Sequence, residues 1–171
     1  MEILTPRLSL TPLQFDDHEW VLTINQDPLW LQFIGDRGVS NADQAKEYIY
    51  RINAQLSEWG YGLLAVKCRK TQQALGLCGL INRYAFTCPD LGFALLPHAR
   101  GQGIVFEAAH SVIEWARVNR HFAFVTAMTH PENTRSQHVL EQLGFQKQGT
   151  FFDKGLPGQR LYWQPLIEIG C

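Results

Sequence analysis

Asp90 to Glu107 reads DLGFALLPHARGQGIVFE. The apolar run through Leu96 has the composition of a strand, and Pro97 closes it. Arg100-Gly101-Gln102-Gly103 then makes a glycine-bearing turn ahead of an amphipathic helix. A strand that passes through such a turn into a helix N-terminus forms an anion site, because the turn's N–H groups and the helix dipole favour negative charge at the same place. The glycines let the backbone approach a phosphate closely. The stretch predicts a phosphate-bearing ligand.

On either side of this stretch, segments of period 2 and period 3.6 follow one another. RLSLTPL (7–13) alternates as a strand. Asp16 and Asp17 can start a helix carrying Trp20, Val21 and Ile24, which Pro28 breaks. Leu29 to Ile34 is a short apolar piece closed by Gly35. Asn41 caps a longer helix with Ala45, Ile49, Ile52 and Leu56 on one face. Strands follow at 63–68 and 74–84, joined by the polar turn RKTQQ as a hairpin, and at 90–96. A helix is expected over 102–119, a strand over 123–129, a helix over 133–142, and strands over 146–153 and 159–166. Hairpins and crossovers together imply an α/β chain with a mixed sheet. A length of 171 residues suits a single domain, 1–171.

Composition narrows the function. A net charge of −1 gives no general attraction to nucleic acid. The charge is unevenly spread: residues 1–60 hold nine acids against four bases, and the remainder eleven bases against seven acids. Such a split suits an anionic ligand on one side and a cationic one on the other, or arises from solvated faces alone. No apolar run approaches the ~18 residues of a membrane span, and the N-terminus MEILTPRLSL lacks a signal-peptide pattern. Cys68, Cys78, Cys88 and Cys171 form no CxxC or Cys/His ligand spacing. His110, His121, His130 and His138 have no ligand partners at metal spacing. The expectation is a reduced, cytoplasmic protein without a metal, a membrane partner or a direct nucleic-acid partner.

Two nucleotide motifs fail. No Gly-Lys-Ser/Thr occurs, which removes a P-loop, and Phe106 stands where a dinucleotide fingerprint needs its third glycine. A downstream stretch, THPENTRSQHVLEQLGFQKQG (129–149), decides among what remains. LTPRLSLTPL, ALGLCGL (74–80), DLGFALLPHARGQGIVFEAA and this stretch, with Asn133, Ser136, Leu140 and Gly144-Phe145, together resemble the GCN5-related N-acetyltransferases (GNAT). Within them the resemblance is to the RimJ/RimL-like branch that acetylates ribosomal-protein N-termini. It covers nearly the whole chain. The family's turn commonly opens on Gln or Arg, and here His98 holds that position.

The resemblance implies a GNAT fold: a mixed, mostly antiparallel sheet of six to seven strands flanked by about four helices. It implies acetyl-CoA as co-substrate and transfer of its acetyl group to a primary amine by direct attack in a ternary complex. The acceptor would be a peptide or small-molecule amine, a ribosomal-protein N-terminus among them, and the protein a monomer or homodimer. Phe93, Ala94 and Leu95 would pair with the pantetheine arm. Arg100, Gly101, Gln102, Gly103, Ile104 and Val105 would cradle the pyrophosphate, with Arg100 adding charge. Asn133 and Ser136 would lie beside the cofactor.

For the chemistry, an ammonium must lose a proton before it can attack a thioester. The resemblance places a base at Asp90, with Asp153 as a second candidate. Ser136 is either a helix-capping residue or the acid that protonates the departing thiolate. Leu140 stands where other GNAT branches carry a tyrosine acid. Glu107 reads as structural, favoured near a helix N-terminus. The family builds its acceptor wall from the first two helices, so some of Trp20, Trp30, Phe33, Trp59 and Tyr61 would line it, with Asp16, Asp17 and Asp36 facing a cationic amine. A non-catalytic acyl-CoA sensor on the same fold is the alternative.

Overall fold

The structure is a computed structural model that describes residues 1–83, 86–119, 122–152 and 158–166. Eight strands form one sheet in the order β1-β2-β3-β4-β5-β6-β8-β7. They are β1 (Ile3–Leu4), β2 (Leu8–Thr11), β3 (Leu63–Cys68), β4 (Ala74–Ile81), β5 (Asp90–Leu95), β6 (Phe124–Thr129), β7 (Gln146–Phe151) and β8 (Gln159–Pro165). The helices are α1 (His18–Asn25), α2 (Pro28–Phe33), α3 (Ala42–Trp59), α4 (Ile104–Asn119) and α5 (Thr134–Gln142). Every strand pairing is antiparallel except that of β5 with β6.

The strand count exceeds the expected six to seven because the opening segment is two strands. Thr5 N–H donates to the carbonyl of Leu8 at 3.0 Å, closing a turn at Pro6 that folds Ile3–Leu4 back onto Ser9–Leu10. The apolar piece after Pro28 is a helix. Asp27 caps α2 by accepting from the N–H groups of Leu29 (3.0 Å) and Trp30 (3.3 Å), and Pro28 sits in its first turn, where a missing N–H costs nothing. The strand expected over 74–84 ends at Ile81.

Two apolar cores lie on opposite faces of the sheet. On one, Leu64, Val66, Leu80, Leu91, Val125, Ala127 and Tyr162 pack with Ala108, Val112 and Ala116 of α4 and Leu140 of α5. On the other, Ala65 and Leu77 pack with Val21, Ile24, Trp30, Ala45, Ile49 and Ile52 of α1 to α3. No helix of the described residues is long and apolar enough to cross a membrane.

Candidate active site

β5 is bonded to β4 along its whole length but meets β6 at a single pair, Asp90↔Thr126. Beyond that vertex the two strands part. Leu96 N–H donates to Leu75 O at 2.9 Å, and the two-residue alternation of an antiparallel ladder then sets which residues face the opening. Phe93 and Leu95 turn their N–H and C=O groups toward it. Ala94 does not: its carbonyl faces β4, where a Cβ on Gly76 would lie 2.2 Å from it. The expected pantetheine contacts therefore reduce to Phe93 and Leu95.

At the open end of the cleft the chain makes a 3-10 turn, Pro97–Ala99, and reaches the glycines. Gly101 (φ +74°) and Gly103 (φ +70°) adopt left-handed backbone that cannot continue a right-handed helix. This is why α4 starts at Ile104 rather than at Gln102. The first helical bond runs from Glu107 N–H to Gly103 O at 3.2 Å, so helix geometry leaves the amides of Gly103 to Phe106 without an intrahelical acceptor. Ile104 and Val105 thus present N–H groups without an intrahelical acceptor at the positive end of the helix dipole.

The side chains around the turn are already engaged. Arg100 was expected to add charge to the anion site. Its guanidinium instead bonds Asp27 Oδ1 at 2.7 Å and the carbonyl of Leu95 through Nε (3.2 Å) and Nη2 (3.0 Å). Gln102 Nε2 folds back to His98 O at 2.7 Å, and His98 Nε2 lies 3.1 Å from Ala74 O. The cation beside the turn is Arg7, whose Nη1 donates to Gln102 O at 2.9 Å and whose Nε bonds Glu107 at 2.5 Å. Burial pushes the Glu107 pKa up, but hydrogen bonds from Thr5 and Arg7, with Arg7's charge, outweigh it and hold the carboxylate below its ordinary range.

Asp90 sits at the vertex and is fully buried. Arg83 Nε donates to its Oδ2 at 2.6 Å, and the Thr126 hydroxyl lies 3.3 Å from its Oδ1. Burial raises the pKa, and Arg83 and Thr126 oppose that rise. An acceptor amine has no direct path to this carboxylate. Asp153, the second base candidate, lies outside the described residues. Asp17 cannot greet a cationic acceptor: it is buried, pairs with Lys67 at 2.7 Å and accepts from the Trp20 indole at 2.8 Å.

Asn133 caps α5 by accepting from Ser136 N–H at 3.1 Å. The capping oxygen belongs to Asn133, and the Ser136 hydroxyl makes no hydrogen bond among the described residues. Of the aromatic residues expected along the acceptor wall, Trp30 and Tyr61 are buried, whereas Phe33 packs on His130, just past β6, with ring centroids 5.6 Å apart. No cluster of three His, Cys, Asp or Glu able to hold a metal ion occurs among the described residues.

A strand edge that leads into a two-glycine helix N-terminus is the arrangement the sequence resemblance implied, and residues 7–146 match the model of the acetyltransferase (GNAT) domain family. The chain belongs to the GNAT acetyltransferase family. This GNAT enzyme is an N-acetyltransferase. It is 26% identical over 156 residues to an uncharacterised N-acetyltransferase, p20, of Bacillus licheniformis, covering 90% of this chain and 87% of that one. It is 30% identical over 80 residues to the [ribosomal protein uS5]-alanine N-acetyltransferase of Escherichia coli (strain K12), covering 46% and 41%. Its fold matches a RimL ribosomal L7/L12 alpha-N-protein acetyltransferase solved with coenzyme A, with a TM-score of 0.81 at 13% identity over 96% of this chain and 98% of that one.

Four residues of this site carried no functional signal in the sequence. Arg83 and Thr126 lie 7 and 36 positions from Asp90 and reach it only through the fold. Arg7 lies in the turn between β1 and β2, and Asp27 between α1 and α2. The Asp-Pro dipeptide before α2 is a readable helix-start signal, but its tie to Arg100 is not.

Proposed function

We propose that this GNAT domain moves the acetyl group of acetyl-CoA onto a primary amine, a protein N-terminal α-amine or a small-molecule amine, by direct attack in a ternary complex. The observation that carries the reading is the parting of β5 from β6 at Asp90↔Thr126, which leaves the backbone of Phe93 and the N–H of Leu95 without a β6 partner beside the start of α4, the Leu95 carbonyl being held by Arg100. The pantetheine arm pairs with that edge. The pyrophosphate sits on the amides of Gly101 to Val105, with Asn133 and Ser136 alongside. The uS5-alanine and L7/L12 acetyltransferases named above support an N-terminal amine as acceptor.

In this reading the amine nitrogen attacks the thioester carbonyl carbon, the C–S bond breaks, and Ser136 Oγ–H protonates the departing thiolate. The ammonium first passes one proton to Asp90 through a water or the Thr126 hydroxyl, since burial bars direct contact, and the second proton, released from nitrogen after attack, returns through water to the Ser136 oxygen. Cys78 and Cys88 do not favour a covalent acetyl-enzyme, and Cys68, whose thiol pKa a hydrogen bond with Thr71 lowers, lies on β3 paired with Leu8 rather than on the β5–β6 cleft. Burial pushes the Cys78 thiol up to about 12 and also raises that of Cys88, so neither supplies a thiolate at neutral pH.

The test is calorimetric binding of acetyl-CoA together with CoA release over a panel of amines. Binding with turnover on at least one amine is expected. Tight binding without turnover on any amine would make the chain an acyl-CoA sensor. Stabilisation by ATP or NAD but not by CoA would overturn both.

A further inference from the structure

Among the described residues, one half of the sheet has a face that no helix covers. α1 to α3 pack on β3 and β4, and their core contains no residue of β6, β7 or β8. On those three strands the residues pointing away from α4 and α5 are Phe124, Thr126 and Met128, Leu161 and Trp163, and Gln146 and Phe151. The register lines up Asp90, Thr126, Trp163 and Gln146 in one row across the sheet, so this face is continuous with the vertex of the cleft. Phe124 meets Trp163 edge-on at 5.7 Å, Phe86 packs on Phe151 at 5.1 Å, and both pairs are only half-buried. Phe33 and His130 close the border toward α2.

Charge is as informative as shape. β6, β7 and β8 carry no carboxylate, and Asp90 at the vertex is already paired with Arg83. A polycation brought onto this face would shed water from each charge and find no anion on these strands to replace it. An apolar body gains from the same transfer, and aromatic rings prefer the offset and edge-on contacts these side chains offer.

Resting on the acetyltransferase reading above, we propose that this face seats the acceptor. It selects a monoamine whose nitrogen is attached close to an apolar or aromatic group, and Trp163 is a specificity-determining residue. The polyamine and aminoglycoside classes of acceptor are disfavoured.

The experiment compares kcat/KM for phenylalaninamide, glycinamide and spermidine, using the full chain and saturating acetyl-CoA. The unsubstituted enzyme prefers phenylalaninamide to each of the others by about tenfold or more, the discrimination an apolar pocket provides. Trp163→Leu keeps an apolar side chain on the strand, and it raises KM for phenylalaninamide about tenfold while the phenylalaninamide-to-glycinamide ratio collapses. Acetyl-CoA affinity of the variant, measured by calorimetry, reports that the fold and the donor site survive. Gln146→Glu, at an exposed position in the same row, raises kcat/KM for spermidine several-fold with no matching rise for phenylalaninamide. A preference for spermidine in the unsubstituted enzyme, or an unchanged ratio in a Trp163→Leu variant that still binds acetyl-CoA, overturns the proposal. Failure of every amine and of acetyl-CoA binding refutes the acetyltransferase reading instead.

Discussion

Arg100 and Asp27 stand 73 positions apart in sequence and are joined by a hydrogen bond of 2.7 Å from Nη2 to Oδ1. The same guanidinium holds the carbonyl of Leu95, at the end of the open edge of β5. One side chain thus ties the cap of α2 to the donor cleft. Asp27→Asn keeps a capping oxygen for Leu29 and Trp30 but removes the charge opposite Arg100. A lost charged hydrogen bond costs about 1.5–3 kcal/mol, so urea denaturation should show a lower midpoint with an unchanged slope. Arg100→Lys should lose a similar amount, because an ammonium cannot serve Asp27 and Leu95 with a planar fork.

The glycine turn makes a second prediction. Gly101 and Gly103 both have positive φ, which costs a residue with a Cβ about 1–2 kcal/mol. A Cβ at Gly101 meets nothing within 4 Å, so Gly101→Ala isolates backbone strain from clash. The variant should fold with a small loss of stability and bind CoA more weakly. Pantetheine, which lacks the pyrophosphate, should bind it as it binds the unsubstituted enzyme. Equal weakening toward both ligands, read by calorimetry, would place the phosphate elsewhere.

Ser136 and Asp90 separate by pH. Removing a general acid or base typically costs 10²–10⁴-fold. Ser136→Ala should lower kcat by about 10²-fold and leave the KM for acetyl-CoA near its original value, because Asn133 and not Ser136 supplies the cap. Asp90→Asn should lower kcat/KM most at low pH, where the acceptor is protonated, and recover as pH rises and neutral amine accumulates. A uniform loss across pH 6–9 would make Asp90 structural, holding Arg83 and Thr126 in place.

Glu107 predicts an acid limb in the stability curve. Its folded pKa lies below its unfolded value of 4.5. The carboxylate's contribution is therefore complete above that unfolded value and disappears as pH falls through the lower folded one. Glu107→Gln should lower Tm at pH 6–7, and the difference from the unsubstituted protein should close progressively below about pH 4.5. Asp90 works in the opposite sense, its raised pKa favouring the fold toward low pH, and comparing the two proteins at each pH cancels that term.

Much of the fold was legible because its signals are local. Asn41 and Asn133 cap helices by side-chain chemistry that acts within three residues. Gly101 and Gly103 mark the turn because few other residues accept that backbone. The alternation of apolar residues located the strands, while their ends moved by a few positions where pairing stopped. The extra strand at Ile3–Leu4 was missed because two residues are too few to show a period.

Acceptor chemistry was not legible in this way. Phe93, Ala94 and Leu95 are consecutive and look alike in sequence. Only the register against β4 shows that the first and third face the cleft and the second does not. In sequence, Asp90 was readable only as a base candidate at the start of a strand. Its burial and its partners Arg83 and Thr126 exist only once β4, β5 and β6 are assembled. The neutral aromatic face is likewise a product of register, since Phe124, Trp163 and Phe151 share it through pairing between strands far apart in the chain. Propensity, capping and turn chemistry act over a few residues and so set the elements and the donor turn. Which groups lose water and which charges meet depends on contacts between distant segments, and those gave the cleft its edge, Asp90 its partners and the aromatic face its character.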